Sequence, residues 1–145
     1  MRTSVALFLT TLLSAAHAAD NNQFPDVVIK AVPVGGAVHM LLGAGGNVAV
    51  SIGKDGTLVV DNQFPAMSLR IQNAITELGG AAPKIILNTH FHGDHVGGNA
   101  FFAERGVIVA AEQVRYRLLN DPALARAALP VVTFADRVRI HFNDD

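Results

Sequence analysis

The chain has 145 residues, half of them apolar and only 16% charged, which excludes wholesale disorder and leaves room for one ordinary domain. Eleven basic residues against twelve acidic ones give a net charge of -1 at pH 7, so no general basic field is available to hold a nucleic acid. Cysteine is absent. Disulfide frameworks, thiolate metal sites and cysteine nucleophiles are therefore excluded, and the placement of the six histidines becomes the main chemical question.

Residues 1–18 have the layout of a secretory signal peptide. Arg2 precedes an apolar stretch from Val5 to Leu13, and small residues follow, ending in Ala16-His17-Ala18. Cleavage is expected after Ala18, and the stretch is too short to remain as a membrane-spanning helix. The mature chain would then carry a polar leader over residues 19–26 and a domain over residues 27–145, secreted or periplasmic. Export without cysteine requires no oxidative folding.

The domain opens with four apolar runs that read as strands: residues 27–34, 38–42, 48–52 and 57–60. Gly43, Gly45 and Gly46 separate the second from the third, and Asp55-Gly56 is a strong hairpin signal before the fourth. The period then becomes helical, with Ile71, Ile75 and Leu78 on one face, Pro65 at the start and Gly79-Gly80 at the end. Residues 84–87 read as a short strand buried on both faces. Further on, the pattern predicts a short helix around Phe101 to Ala103, a strand over 107–110 and a helix over 112–119. A second helix is expected from Asp121-Pro122 to Leu129, followed by strands over 131–134 and 137–142. Strands first, then alternating helix and strand, argue for an α/β fold in which helices cover at least one face of a sheet. The sequence stops at Asp144-Asp145, directly after an expected strand, which reads as an interruption of the fold.

Between the strand at 84–87 and the next helix lies Asn88-Thr89-His90-Phe91-His92-Gly93-Asp94-His95-Val96-Gly97-Gly98-Asn99. Three histidines and a carboxylate fall within six residues. In an extended backbone His90 and His92 point to the same side and can share one metal ion. Gly93 allows a sharp turn, after which Asp94 and His95 can face a second position. Imidazole nitrogens with a carboxylate oxygen form a ligand set expected for zinc. The carboxyl end of a buried strand is where α/β proteins commonly place their sites, and Gly97-Gly98 lets the backbone turn closely into the next helix.

This His90-to-His95 motif, with Val96-Gly97-Gly98-Asn99 after it and Thr57-Leu58-Val59-Val60-Asp61 before it, resembles the metallo-β-lactamase superfamily over about residues 27 to 142. The resemblance implies an αββα sandwich of two similar halves, of which this sequence would hold the first half and the start of the second. It implies one or two zinc ions at the sheet edge, with His90 and His92 on the first and Asp94 and His95 on the second. Asp61 resembles the aspartate that supports the metal loop from behind, although as a bare residue it reads equally well as a strand-end aspartate. The family's remaining ligands come from the second half of the fold. Downstream of His95 only His141 is present, and it reads as a surface strand residue. His39 likewise reads as structural.

The function implied is an exported, zinc-dependent hydrolase acting on a small molecule that carries an amide, ester, thioester or β-lactam group. Asp94 would orient the attacking water while also serving as a ligand. The alternative is a non-catalytic, truncated zinc-binding half-domain. A nuclease role is disfavoured by the net charge and by export, and no stable membrane span is expected.

Overall fold

The computed structural model describes residues 23–144. The expected signal peptide, and all of the leader before Gln23, lie outside the described residues. Among the described residues seven strands form one sheet in sequence order: β1 (Lys30–Gly35), β2 (Val38–Leu42), β3 (Val48–Gly53), β4 (Gly56–Val60), β5 (Ile85–Asn88), β6 (Val107–Ala111) and β7 (Val132–Phe134). The first four are antiparallel and joined by short turns. From β4 onward every pairing is parallel, and parallel neighbours require a crossover. Helix α1 (Ser68–Glu77) makes the first, and the one-turn helices α2 (Gly93–Val96) and α3 (Asn99–Phe102) make the second. Helix α4 (Glu112–Leu119) and a 3-10 turn at Arg126–Ala128 make the third.

The sheet is hydrophobic mainly on the face under α1. Leu41, Val48, Val50, Val59, Ile86 and Ile108 are buried there against Met67, Ile71, Ile75 and Phe102. A 3-10 turn at Pro65–Met67 leads into α1. The helix ends in a Schellman arrangement: Gly79 takes φ +87°, its N–H donates to Thr76, and the Gly80 N–H donates to Ile75. A second cluster, Val96, Ala110, Val114, Leu118 and Leu129, packs α4 onto the end of the sheet.

Three expectations are corrected. Strand β5 is not buried on both faces: Ile86 and Asn88 are buried, whereas Ile85 and Leu87 are only half-buried. The turn expected within residues 52–56 falls at Lys54-Asp55, with Gly53 paired to Gly56. The helix expected from Asp121 to Leu129 is reduced to a turn and the 3-10 segment. The Asp121 side chain accepts from the Ala123 N–H (2.9 Å), Ala125 is extended, and so short a run cannot sustain a helix without a continuous packed face. Residues 137–142 form no strand. They lead instead to Asn143, whose side chain accepts from the Asp55 N–H (3.0 Å) and donates to Ser51 Oγ (2.9 Å), clamping the β3–β4 hairpin.

Parallel direction is what builds the site. Strands β4 and β5 run the same way, so the residues that follow them, Asp61 and Thr89-His90, emerge at one edge of the sheet. The Asp61 N–H continues the ladder by donating to the Leu87 carbonyl (2.7 Å).

Candidate metal centre

Asp61 leaves β4 with φ +62°, the left-handed region that aspartate tolerates better than most side chains. It is 4% exposed and its carboxylate is fully engaged. Oδ1 accepts from the Thr89 N–H at 2.8 Å. Oδ2 accepts from the Thr89 hydroxyl at 2.6 Å and lies 2.7 Å from His95 Nδ1. A carboxylate has no proton to give, so His95 Nδ1 is the donor, and the lone pair of this imidazole sits on Nε2.

The motif itself is half extended and half helical. His92 is extended (φ -67°, ψ 146°) and forms the N-cap of α2. The expected i, i+2 relation therefore holds for His90 and His92, whose Nε2 and Nδ1 atoms stand 3.2 Å apart. Asp94 and His95 lie in the turn of α2, with Asp94 Oδ2 3.4 Å from His95 Nε2. The His90 and His95 ring centroids are 4.0 Å apart. Asp61, His90 and His95 each bring one ligand atom within 4.8 Å of the others. All five residues singled out from the sequence are thus gathered at one sheet edge.

The donor chemistry fits a metal. In a tetrahedral zinc site with bonds of about 2.0–2.2 Å, neighbouring donor atoms stand roughly 3.3–3.6 Å apart. The His90–His92 pair and the Asp94–His95 pair are both spaced close to that edge length. Although Asp61 lies within ligand distance, its oxygens already serve three donors. Its carboxylate holds the ring of His95 at Nδ1 and the backbone and hydroxyl of Thr89.

The glycines have different reasons from those the sequence suggests. Gly93 has an ordinary φ and open space where a Cβ would stand, so the chain there enters a helix and needs no glycine-only turn. Gly97 and Gly98 pack against the loop after β4: a Cβ would come within 2.8 Å of the Gln63 and Asn62 carbonyls. Gly46, in the loop between β2 and β3, lies against the imidazole of His95, and a Cβ there would come within 2.6 Å of Nε2. That loop is tied down by buried Gln63, which donates to the Gly46 carbonyl at 2.6 Å. From the sequence Gly46 reads as a turn residue, and neither Gln63 nor Thr89 stands out. The only sequence signal for Thr89 was its place between the strand and the first histidine. His141 is exposed on the irregular segment after β7, and His39 lies within β2. Neither belongs to the cluster.

The sequence profile of the metallo-beta-lactamase superfamily matches residues 41–138. The chain belongs to this superfamily. Solved structures agree. BJP-1, a subclass B3 metallo-β-lactamase of Bradyrhizobium japonicum, is 26% identical with a TM-score of 0.60, over 78% of this chain and 46% of that one. A B3 metallo-β-lactamase with an active-site glutamic acid is 28% identical with a TM-score of 0.58, over 66% of this chain and 37% of its own. The native FEZ-1 metallo-β-lactamase from Legionella gormanii matches in fold with a TM-score of 0.70 at 14% identity, over 80% of this chain and 50% of that one. Among curated protein sequences none matches significantly. The chain spans half the length of these enzymes or less, and its seven-stranded sheet with helices is a corresponding part of the metallo-hydrolase fold.

Proposed function

We propose that the chain is the metal-binding part of an exported, zinc-dependent hydrolase whose small-molecule substrate carries an amide, ester, thioester or β-lactam bond. One observation carries this reading: two donor pairs with the spacing of a zinc tetrahedron lie at the end of parallel strands, beside a buried carboxylate that holds the His95 ring. In this reading His90 and His92 hold one ion, Asp94 and His95 hold a second, and Asp61 orients the rings from behind. Zinc, when bound, supplies a water whose pKa is lowered to about 7 and polarises the substrate carbonyl. Asp94 sits at the mouth of the site, where its carboxylate can accept a hydrogen bond from the attacking water and fix its direction. His95, held by Asp61, keeps its Nε2 lone pair facing the same space. Half-burial of His90 and Asp94 and exposure of His92 leave the site open to a substrate.

The test is a hydrolysis screen over amide, ester, thioester and β-lactam substrates, with and without a chelator. Activity should vanish on chelation, return with zinc, and be lost in the His90→Ala, His92→Ala variant. Retained activity in that variant contradicts the assignment. A second reading, a zinc-binding domain without catalysis, draws on each donor pair supplying two of the four ligands of a zinc tetrahedron. Stoichiometric zinc binding with no hydrolysis in the screen would favour it. Export rests on the order of charge, apolar run and small residues in the first eighteen positions. N-terminal sequencing of the exported protein should begin at Ala19, and a start at Met1 removes that part of the proposal.

A further inference from the structure

The Thr89 hydroxyl stands between Asp61 and His90. Oγ1 is 2.6 Å from Asp61 Oδ2 and 3.0 Å from His90 Nδ1. A threonine hydroxyl has one proton. Two oxygens at 2.6 Å need a proton between them, and the carboxylate has none, so the Thr89 proton is committed to Asp61. Only a lone pair of Oγ1 then remains for the imidazole, and His90 Nδ1 must be the donor. The lone pair of His90 is thereby placed on Nε2, the atom that faces His92 Nδ1 at 3.2 Å. Thr89 is held firmly enough to do this, because its own N–H grips the other carboxylate oxygen, Oδ1, at 2.8 Å.

We propose that Thr89 is a positioning residue that relays the Asp61 carboxylate onto His90 and fixes that ring as the Nδ1–H tautomer. Asp61 then sets the metal-facing nitrogen of two histidines at once, His95 directly and His90 through the Thr89 hydroxyl. The inference deepens the zinc reading above and rests on it for its consequence, since a wrong tautomer would turn an N–H toward the ion. The relay involves no change of protonation state, only the choice of which ring nitrogen carries the proton.

Thr89→Val keeps the branched shape and the backbone N–H but removes the hydroxyl, whereas Thr89→Ser keeps the hydroxyl. Two readouts separate the relay from a merely structural role. The first is the nitrogen chemical shift of His90 in the metal-free chain at a pH where the ring is neutral. Wild type and Thr89→Ser should show a protonated Nδ1, and Thr89→Val should move toward Nε2–H. The second is zinc affinity by competition with a chromophoric chelator. It should fall about 10–100-fold in Thr89→Val, the usual loss when the partner of a ligand is removed, and recover in Thr89→Ser. An unchanged tautomer in Thr89→Val, or a Thr89→Ser variant that behaves like Thr89→Val, overturns the proposal. If Thr89→Val does not fold, an Nε2–H ring at His90 in the wild type overturns it just as directly. A wild-type chain that binds no zinc would remove the metal reading, yet the tautomer comparison would still decide the role of Thr89.

Discussion

Asp61 is the residue on which the geometry of the site converges. It is buried, sits at φ +62° and accepts three hydrogen bonds from Thr89 and His95. Asn in its place would retain one acceptor oxygen and present an amide N–H₂ to groups that are themselves donors. Asp61→Asn should therefore weaken zinc binding about 10–100-fold. It should also lower unfolding stability by about 1–3 kcal/mol, the cost of a buried donor left without a partner. Chelator competition and urea denaturation measure the two effects, and wild-type affinity in the variant would show that the carboxylate does not orient the rings. His90, His92, Asp94 and His95 were legible in the sequence because their donor types and close spacing have few other uses. The hydroxyl of Thr89 was not, because a lone threonine acquires a role only from the partners that tertiary structure gives it.

At the scale of elements, a buried asparagine network locks the histidine loop to its surroundings. Asn99, fully buried at the start of α3, accepts from Asn62 Nδ2 (2.6 Å) and Asn88 Nδ2 (3.0 Å). It donates to Asn88 Oδ1 and to the Ala128 carbonyl, both at 2.9 Å. Asn62 in turn accepts from the Gly98 N–H at 2.7 Å. The exits of β4 and β5, the start of α3 and the 3-10 turn are thus tied at one point. Asn99→Ala would leave several of these groups buried without partners, at about 1–3 kcal/mol each, and should cost at least about 2 kcal/mol in urea denaturation. A change below half that would mean that water replaces the amide. The same network explains why residues 121–129 depart from the helical expectation. Ala128 is held by Asn99, and Ala128 and Leu129 are buried, so tertiary contacts outweigh a weak local preference. Strands β3 and β4 and helix α1 were legible because their periods match their buried faces, as Val48, Val50 and Val59 and Ile71, Ala74 and Ile75 show.

At the scale of the whole molecule, a ligand that binds only the folded state stabilises it. His90, Asp94 and His95 are drawn together only when β4, β5 and α2 are in register, so zinc should raise the thermal midpoint of the chain. At a hundred times its dissociation constant one ion contributes about 2.7 kcal/mol. Calorimetry with and without zinc checks this, and an equal shift in the His90→Ala, His92→Ala variant would place the binding elsewhere. The sequence by itself determined the donors: four potential ligands within six residues, the absence of cysteine, and an aspartate closing a strand. It could do so because ligand chemistry and local spacing are properties of neighbours along the chain. Only the tertiary structure decided that Asp61, Thr89, His90 and His95 form one hydrogen-bonded unit, and that Gly46 from a distant loop lies against a histidine ring. The longest of those contacts join residues some thirty to fifty positions apart, and the antiparallel pairing of β3 with β4, the parallel pairing of β4 with β5 and the crossover through α1 bring them to the same edge.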